Sequence, residues 1–160
     1  MSEKPTRKIA VVLERIAVES RWQDHHWELA GVIPDVGGEA RDIVEHQTLR
    51  QRIFPGLELT LFRDEAEGYF LNVGSDDPSV FVSLRVDETT GEPYPFLATL
   101  SYNEAARWMD SAERVERVSA WTDLIVWLGE WVEANYRPEP KQRQKPKSFR
   151  GKEGRLRERN

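Results

Sequence analysis

Ile9-Ala-Val-Val-Leu-Glu-Arg-Ile-Ala-Val18, followed after Ser20–Asp24 by His26-Trp-Glu-Leu-Ala-Gly-Val-Ile33, is the stretch that decides the fold. Both arms are rich in β-branched and aromatic residues, and Pro34-Asp35 stops the second, so the pattern predicts a β-hairpin over 9–33. Ile9, Val11 and Leu13 share one parity, Ile16 and Val18 the other. A one-residue slip moves every side chain to the opposite face, so a bulge or bend is predicted at Glu14-Arg15.

Beyond the hairpin, Gly37-Gly38 predicts a loop, Ala40–Leu49 a short helix, and Pro55-Gly56 the close of that segment. Leu57, Leu59 and Leu61 then alternate with Glu58, Thr60 and Phe62. Strands are predicted there, at Tyr69–Val73, at Val80–Val86 and at Phe96–Leu100. The short connections imply an antiparallel meander. Ser101-Tyr-Asn-Glu104 is a capping box that opens a helix over 102–110. Ser119 is the predicted cap for a second helix reaching Tyr136, with Trp121, Leu124, Ile125, Leu128 and Val132 on one stripe and Trp127 and Trp131 beside it. The predicted fold is α+β: a mainly antiparallel sheet of about six strands, open or partly barrel-like, with two C-terminal helices, the longer of which covers one face of the sheet.

The chain has 160 residues and a formal net charge of −5, which conceals an asymmetry. Residues 1–136 carry 13 Lys and Arg against 25 Asp and Glu, a net of −12; residues 137–160 carry 10 against 3, a net of +7. A single folded domain over 1–136 is predicted. Residues 137–160 bury too little apolar surface to offset the entropy of ordering and are predicted to be disordered. There is no cysteine, which excludes disulfides, thiolate zinc sites and a cysteine nucleophile. The N-terminus lacks the apolar run of a signal peptide and no stretch is long and apolar enough to span a membrane, so a cytoplasmic protein with no membrane contact is expected.

Between the hairpin arms lies the densest cluster of unusual side chains. If residues 24–28 are extended, Asp24, His26 and Glu28 share one face, a set that suits a divalent cation or acid–base chemistry. The plainer reading is a hairpin end whose polar groups satisfy one another or water, because no established ligand spacing is present. Nucleophile-elbow, Walker and dinucleotide motifs are all absent. Trp121, Trp127 and Trp131 have core spacing. Trp27 is divided between core packing and exposure, and Arg21-Trp22 has the composition of an interface anchor. The basic residues 137–160 suit nucleic acid by charge alone, with Phe149 as their single aromatic, so base stacking is unsupported.

Val11-Val-Leu-Glu-Arg15, Trp22-Gln-Asp-His25 with Trp27, Tyr69-Phe-Leu-Asn72, Pro78-Ser-Val-Phe-Val82 with Leu84-Arg85, and Ser101-Tyr-Asn-Glu-Ala105 together resemble a bacterial family known as domain of unknown function 3305. The resemblance covers most of residues 10–137. Members of that family tend to be encoded beside molybdenum-dependent formate dehydrogenases and their maturation factors, and no mechanism is carried over from it. It implies an accessory role in assembly, cofactor insertion or regulation of such an enzyme, so the expectation is a non-catalytic protein that binds a formate dehydrogenase subunit or maturation factor. On the residues themselves, no cofactor or metal is expected. Arg21, Trp22, Asp24, His25, His26 and Trp27 form the expected recognition surface. The alternatives are a small enzyme using a His–carboxylate site on the molybdenum cofactor, or a regulator binding nucleic acid through residues 137–160.

Overall fold

The structure is a computed structural model that describes residues 4–17, 25–46 and 48–138. The predicted hairpin is present: β1 (Thr6–Ala17) pairs antiparallel with β2 (His25–Pro34). Its irregularity comes earlier than the parity slip suggests. Val12 faces Gly31 while Leu13 faces Leu29, so Ala30 is the extra residue, and the ladder runs unbroken through Glu14 and Arg15. Ile9, Val11 and Leu13 enter the main core, while Ala10 and Val12 pack with Ile53 on the opposite face.

Two expected elements change type, and both changes have physical causes. The segment expected to be helical holds the strand β3 (Arg41–Glu45), which pairs with β4 (Leu49–Thr60). β-Branched Ile43 and Val44 suit a half-covered ladder better than a short helix. Pro55-Gly56 does not close the segment but lies inside β4. Ile9 faces Leu57 and Val11 faces Phe54, so Pro55 and Gly56 together oppose Ala10 in a bulge. Gly56 has φ +90, and its N–H donates to Asp35 Oδ1 at 2.8 Å. A bulge tolerates a proline without a ladder N–H and favours glycine at positive φ.

Tyr69–Val73, predicted as a strand, belongs to helix α1 (Ala66–Val73), entered through a 3₁₀ turn over Arg63–Glu65. Burial at Ala66, Tyr69 and Asn72 follows a helical repeat that composition alone conceals. The meander therefore does not form. β5 (Ser79–Val86), β6 (Pro93–Thr99) and β7 (Arg114–Ser119) make a second sheet in the order β6-β5-β7, beside a first in the order β2-β1-β4-β3. The described residues thus hold seven strands in two antiparallel sheets rather than six in one, and the sheets do not close into a barrel. β7 lies where no element is predicted, between α2 (Tyr102–Asp110) and α3 (Thr122–Asn135).

Both sheets turn one face to a common core in which Ile9, Val11, Leu13, Val80, Val82 and Leu84 meet Tyr69 of α1 and Leu124, Leu128 and Val132 of α3. Trp131 packs edge-on against Tyr69 at 5.4 Å, and Trp121 and Trp127 lie against the same core, as their spacing predicts. The outer face of β5 is covered by α2, where Tyr102 meets Phe81 edge-on at 5.6 Å. α3 begins after Trp121 rather than at Ser119, whose hydroxyl donates to Asp77 Oδ1 at 2.6 Å.

A polar knot ties α1 and α2 to the second sheet. Asn72, 1 % exposed, donates to the carbonyls of Ser79 and Leu100 at 2.8 and 2.9 Å and accepts from the Ser79 N–H at 2.9 Å. Ser101 caps α2 as predicted, accepting from the Glu104 N–H at 3.0 Å, and donates to Glu65 at 2.7 Å. The other half of the capping box runs through Thr99. Its hydroxyl donates to Glu104 at 2.6 Å and accepts from the Ser101 N–H at 3.0 Å. Gly68 lets the helices approach: a Cβ there would stand 2.0 Å from Ser101 Oγ. Burial pushes the Tyr69 phenol up to about 12, and it donates to the Thr60 carbonyl.

Candidate functional site

At the hairpin end, strand pairing sets three side chains in a row. Arg15 faces Trp27 on β2 and Arg50 on β4, so residues from three neighbouring strands share one face. The guanidiniums of Arg50 and Arg15 lie over the Trp27 ring, 5.6 and 6.0 Å from its centroid. Such contacts contribute roughly 0.5–2 kcal/mol, more as water is excluded. Two like charges beside one ring repel, and carboxylates offset this at Arg50. Asp42 Oδ2 accepts from Arg50 Nε at 3.2 Å, and Glu92 Oε2 from Nη1 at 3.3 Å. Arg52 joins the second oxygen of Asp42 at 3.1 Å.

These groups are only part-buried, but their titration is coupled to the cluster. Burial alone would raise Asp42; hydrogen bonds and charge from Arg50 and Arg52 outweigh it and hold the carboxyl below the ordinary aspartate value. Burial likewise opposes the charge on Arg50, and Asp42 and Glu92 raise its pKa in spite of that.

β2 is an edge strand, and side chains of β7 cover its outer backbone groups. Arg114 Nη2 donates to the Trp27 carbonyl at 2.7 Å, and Glu116 Oε1 accepts from the Leu29 N–H at 2.8 Å. Arg114 and Glu116 also pair with each other. His26, Trp27 and Arg114 line a cleft of about 360 Å³ against Val86 at the end of β5 and Thr90 and Glu92 of the β5–β6 turn. A neighbouring cleft of about 410 Å³ is bounded by Arg50, Arg52, Phe54 and the same turn.

Of the six residues expected to form the recognition surface, Trp27 is half-buried against the core and His26 is exposed at the end of β2. Arg21, Trp22 and Asp24 lie outside the described residues, as does the His25 side chain. His26 Nε2 stands 3.7 Å from Glu28 Oε1, on the face opposite Trp27, as an extended segment requires. Among the described residues no group of three or more His, Asp and Glu is placed to hold a metal ion. Arg15, Asp42, Arg50, Glu92, Arg114 and Glu116 are absent from the expected surface. Only strand pairing and the packing of one sheet on the other bring them to Trp27, and no local motif marks them.

The molecule is an open two-sheet α+β protein with an arginine–tryptophan cluster at one end. The chain belongs to the family described as protein of unknown function (DUF3305), whose model matches residues 8–145. Neither the curated proteins nor the solved structures yield a match. No described helix is long and apolar enough to cross a membrane.

Proposed function

We propose that this protein is a non-catalytic accessory factor that binds a partner protein through the hairpin end, in the assembly, maturation or regulation of a molybdenum-dependent formate dehydrogenase. One observation carries the binding half of the proposal: Trp27, backed by the core at the rim of a cleft, has two arginine guanidiniums over its ring. Tryptophan and arginine dominate interface energetics because they combine large apolar area with directed polar contact. Arg21, Trp22, Asp24, His25 and His26, its neighbours in sequence, are included in the proposed contact by their composition. The formate dehydrogenase setting rests on the family resemblance alone. Residues 137–160 add a cationic second contact for an acidic partner.

The test is co-purification of formate dehydrogenase subunits and maturation factors with the full chain from its host, alongside cellular formate dehydrogenase activity. Trp27→Ala with His26→Ala is expected to reduce recovery by at least about tenfold while circular dichroism shows the fold retained. Arg50→Gln, which keeps the stem and removes the charge, is expected to give an intermediate loss. Undiminished recovery and activity in the double variant would remove this surface from the proposal.

A further inference from the structure

The two seams between the sheets are finished differently. Where β2 meets β7, Arg114 and Glu116 satisfy the backbone of the edge strand. Where β4 meets β6, a cleft of about 500 Å³ remains, lined by Leu57, Phe62, Phe96, Leu97, Ala98 and Trp108. Glu58 and Glu104 are its charged lining residues, and both are acidic. β6 ends its sheet. The Leu97 N–H donates to Ser83 Oγ on the β5 side at 3.2 Å, so alternation turns the N–H and C=O of the following Ala98 outward, toward the cleft, while Phe96 is the extra residue where the β5–β6 register shifts. β4 pairs with β3 only as far as Ile53.

We propose that this cleft takes an extended, cationic segment of a partner protein, which adds as a strand to β6 over residues 96–99. Pro93 and Pro95 blunt the first half of that strand, as protected edges are commonly blunted; the second half holds no proline. Its apolar side chains are instead held out: Leu97 is 47 % exposed and Phe96 38 %, and across the cleft Phe62, just after β4, is also 38 % exposed. Main-chain bonds supply affinity in strand addition, and pockets for alternate side chains supply selectivity. Here the alternation selects apolar residues for Phe62, Leu97 and Trp108, separated by Lys or Arg for Glu58 and Glu104. Arg85 already stacks on Phe96 at 3.6 Å, but Glu113 neutralises it. The net charge of −12 over residues 1–136 steers a cation inward. The chain's own residues 139–160 are cationic, but Phe149 and Leu156 are their sole large apolar side chains, too few to alternate.

The inference deepens the partner-binding reading and rests on it, yet the two fail separately. The probe is a fluorescein-labelled heptapeptide, acetyl-Lys-Val-Lys-Phe-Lys-Val-Lys-amide, titrated with the full-length protein and followed by anisotropy. Binding is expected to weaken at least about tenfold when Glu replaces Lys in the peptide, when alternate amides are N-methylated, or in the exposed variant Leu97→Lys. Trp27→Ala is expected to leave peptide binding unchanged while reducing partner recovery. Equal binding of the N-methylated peptide, or indifference to Leu97→Lys, would overturn the slot without touching the hairpin surface. A gain of about tenfold on Phe149→Ala would also overturn it, because the chain itself would then be the occupant.

Discussion

The buried knot around Asn72 and the cluster around Trp27 are both rich in polar side chains, and both fall within segments that carry the family resemblance. They differ in where their hydrogen bonds go. In the knot, Asn72, Ser79, Ser101 and Thr99 find partners within the fold, and Gly68 is there because nothing larger fits. At the hairpin end, Trp27 is held from behind by Arg114 through its backbone, while its ring faces arginines at a rim open to solvent. A distinctive polar residue in this chain is therefore no guide to recognition until its partners are counted. The Tyr-Phe-Leu-Asn and Ser-Tyr-Asn-Glu segments join helices to a sheet. The Trp27 cluster has capacity left over.

Asn72→Leu breaks the comparison most severely. It leaves the Ser79 N–H and the carbonyls of Ser79 and Leu100 without partners where water does not reach. Each unpaired buried group costs about 1–3 kcal/mol, and the costs do not simply add, so a loss of about 4 kcal/mol is expected by urea denaturation. A loss below about 1 kcal/mol would mean that water replaces the side chain, and the knot would not be the closed unit described. Gly68→Ala probes the same place sterically. The new Cβ would meet Ser101 Oγ at 2.0 Å and the Asn103 backbone nitrogen at 3.0 Å, forcing the cap to rotate or the helices to part. About 2 kcal/mol is expected, against the small gain that alanine gives in an open helix. A stabilised variant would show that α1 and α2 can separate freely.

Legibility in the sequence follows the same division. The hairpin, the strand at Val80–Val86, the Ser101 cap and the stripe on α3 are local patterns, and each appears close to where its residues place it. Tyr69–Val73 misleads because a short apolar run suits strand or helix, and the partners that decide, Ser79 and Leu100, lie elsewhere in the chain. Ala40–Leu49 misleads because β3 is specified by an edge of β4, which no window over 40–49 contains. β7 escapes detection since Arg114-Val-Glu-Arg117 has only one apolar residue and gains its place from β5. Of the site, the sequence shows Trp27 and His26. The charges around Trp27 come from four other elements and the β5–β6 turn, so their assembly is a property of the register and of sheet packing.

The smallest expected effect tests the hairpin end by charge. Asp42 has a depressed pKa in the folded protein, so as pH falls the unfolded chain takes up the proton first. Its contribution is complete above the unfolded aspartate range and is lost as pH drops through the lower folded value. Asp42→Asn keeps the shape of the side chain and removes that contribution. Because water and salt screen a part-exposed pair, the loss at neutral pH is expected to be no more than about 1 kcal/mol. The difference between the two proteins is expected to shrink toward zero in acid, and to shrink also in high salt. Arg50, no longer neutralised by Asp42, is expected to shift on the indole and move the Trp27 Nε1–H resonance, while the amides of Asn72 and Ser79 stay in place. A stability difference independent of pH would show that Asp42 acts by shape alone. Movement at Asn72 would show that the two regions are coupled.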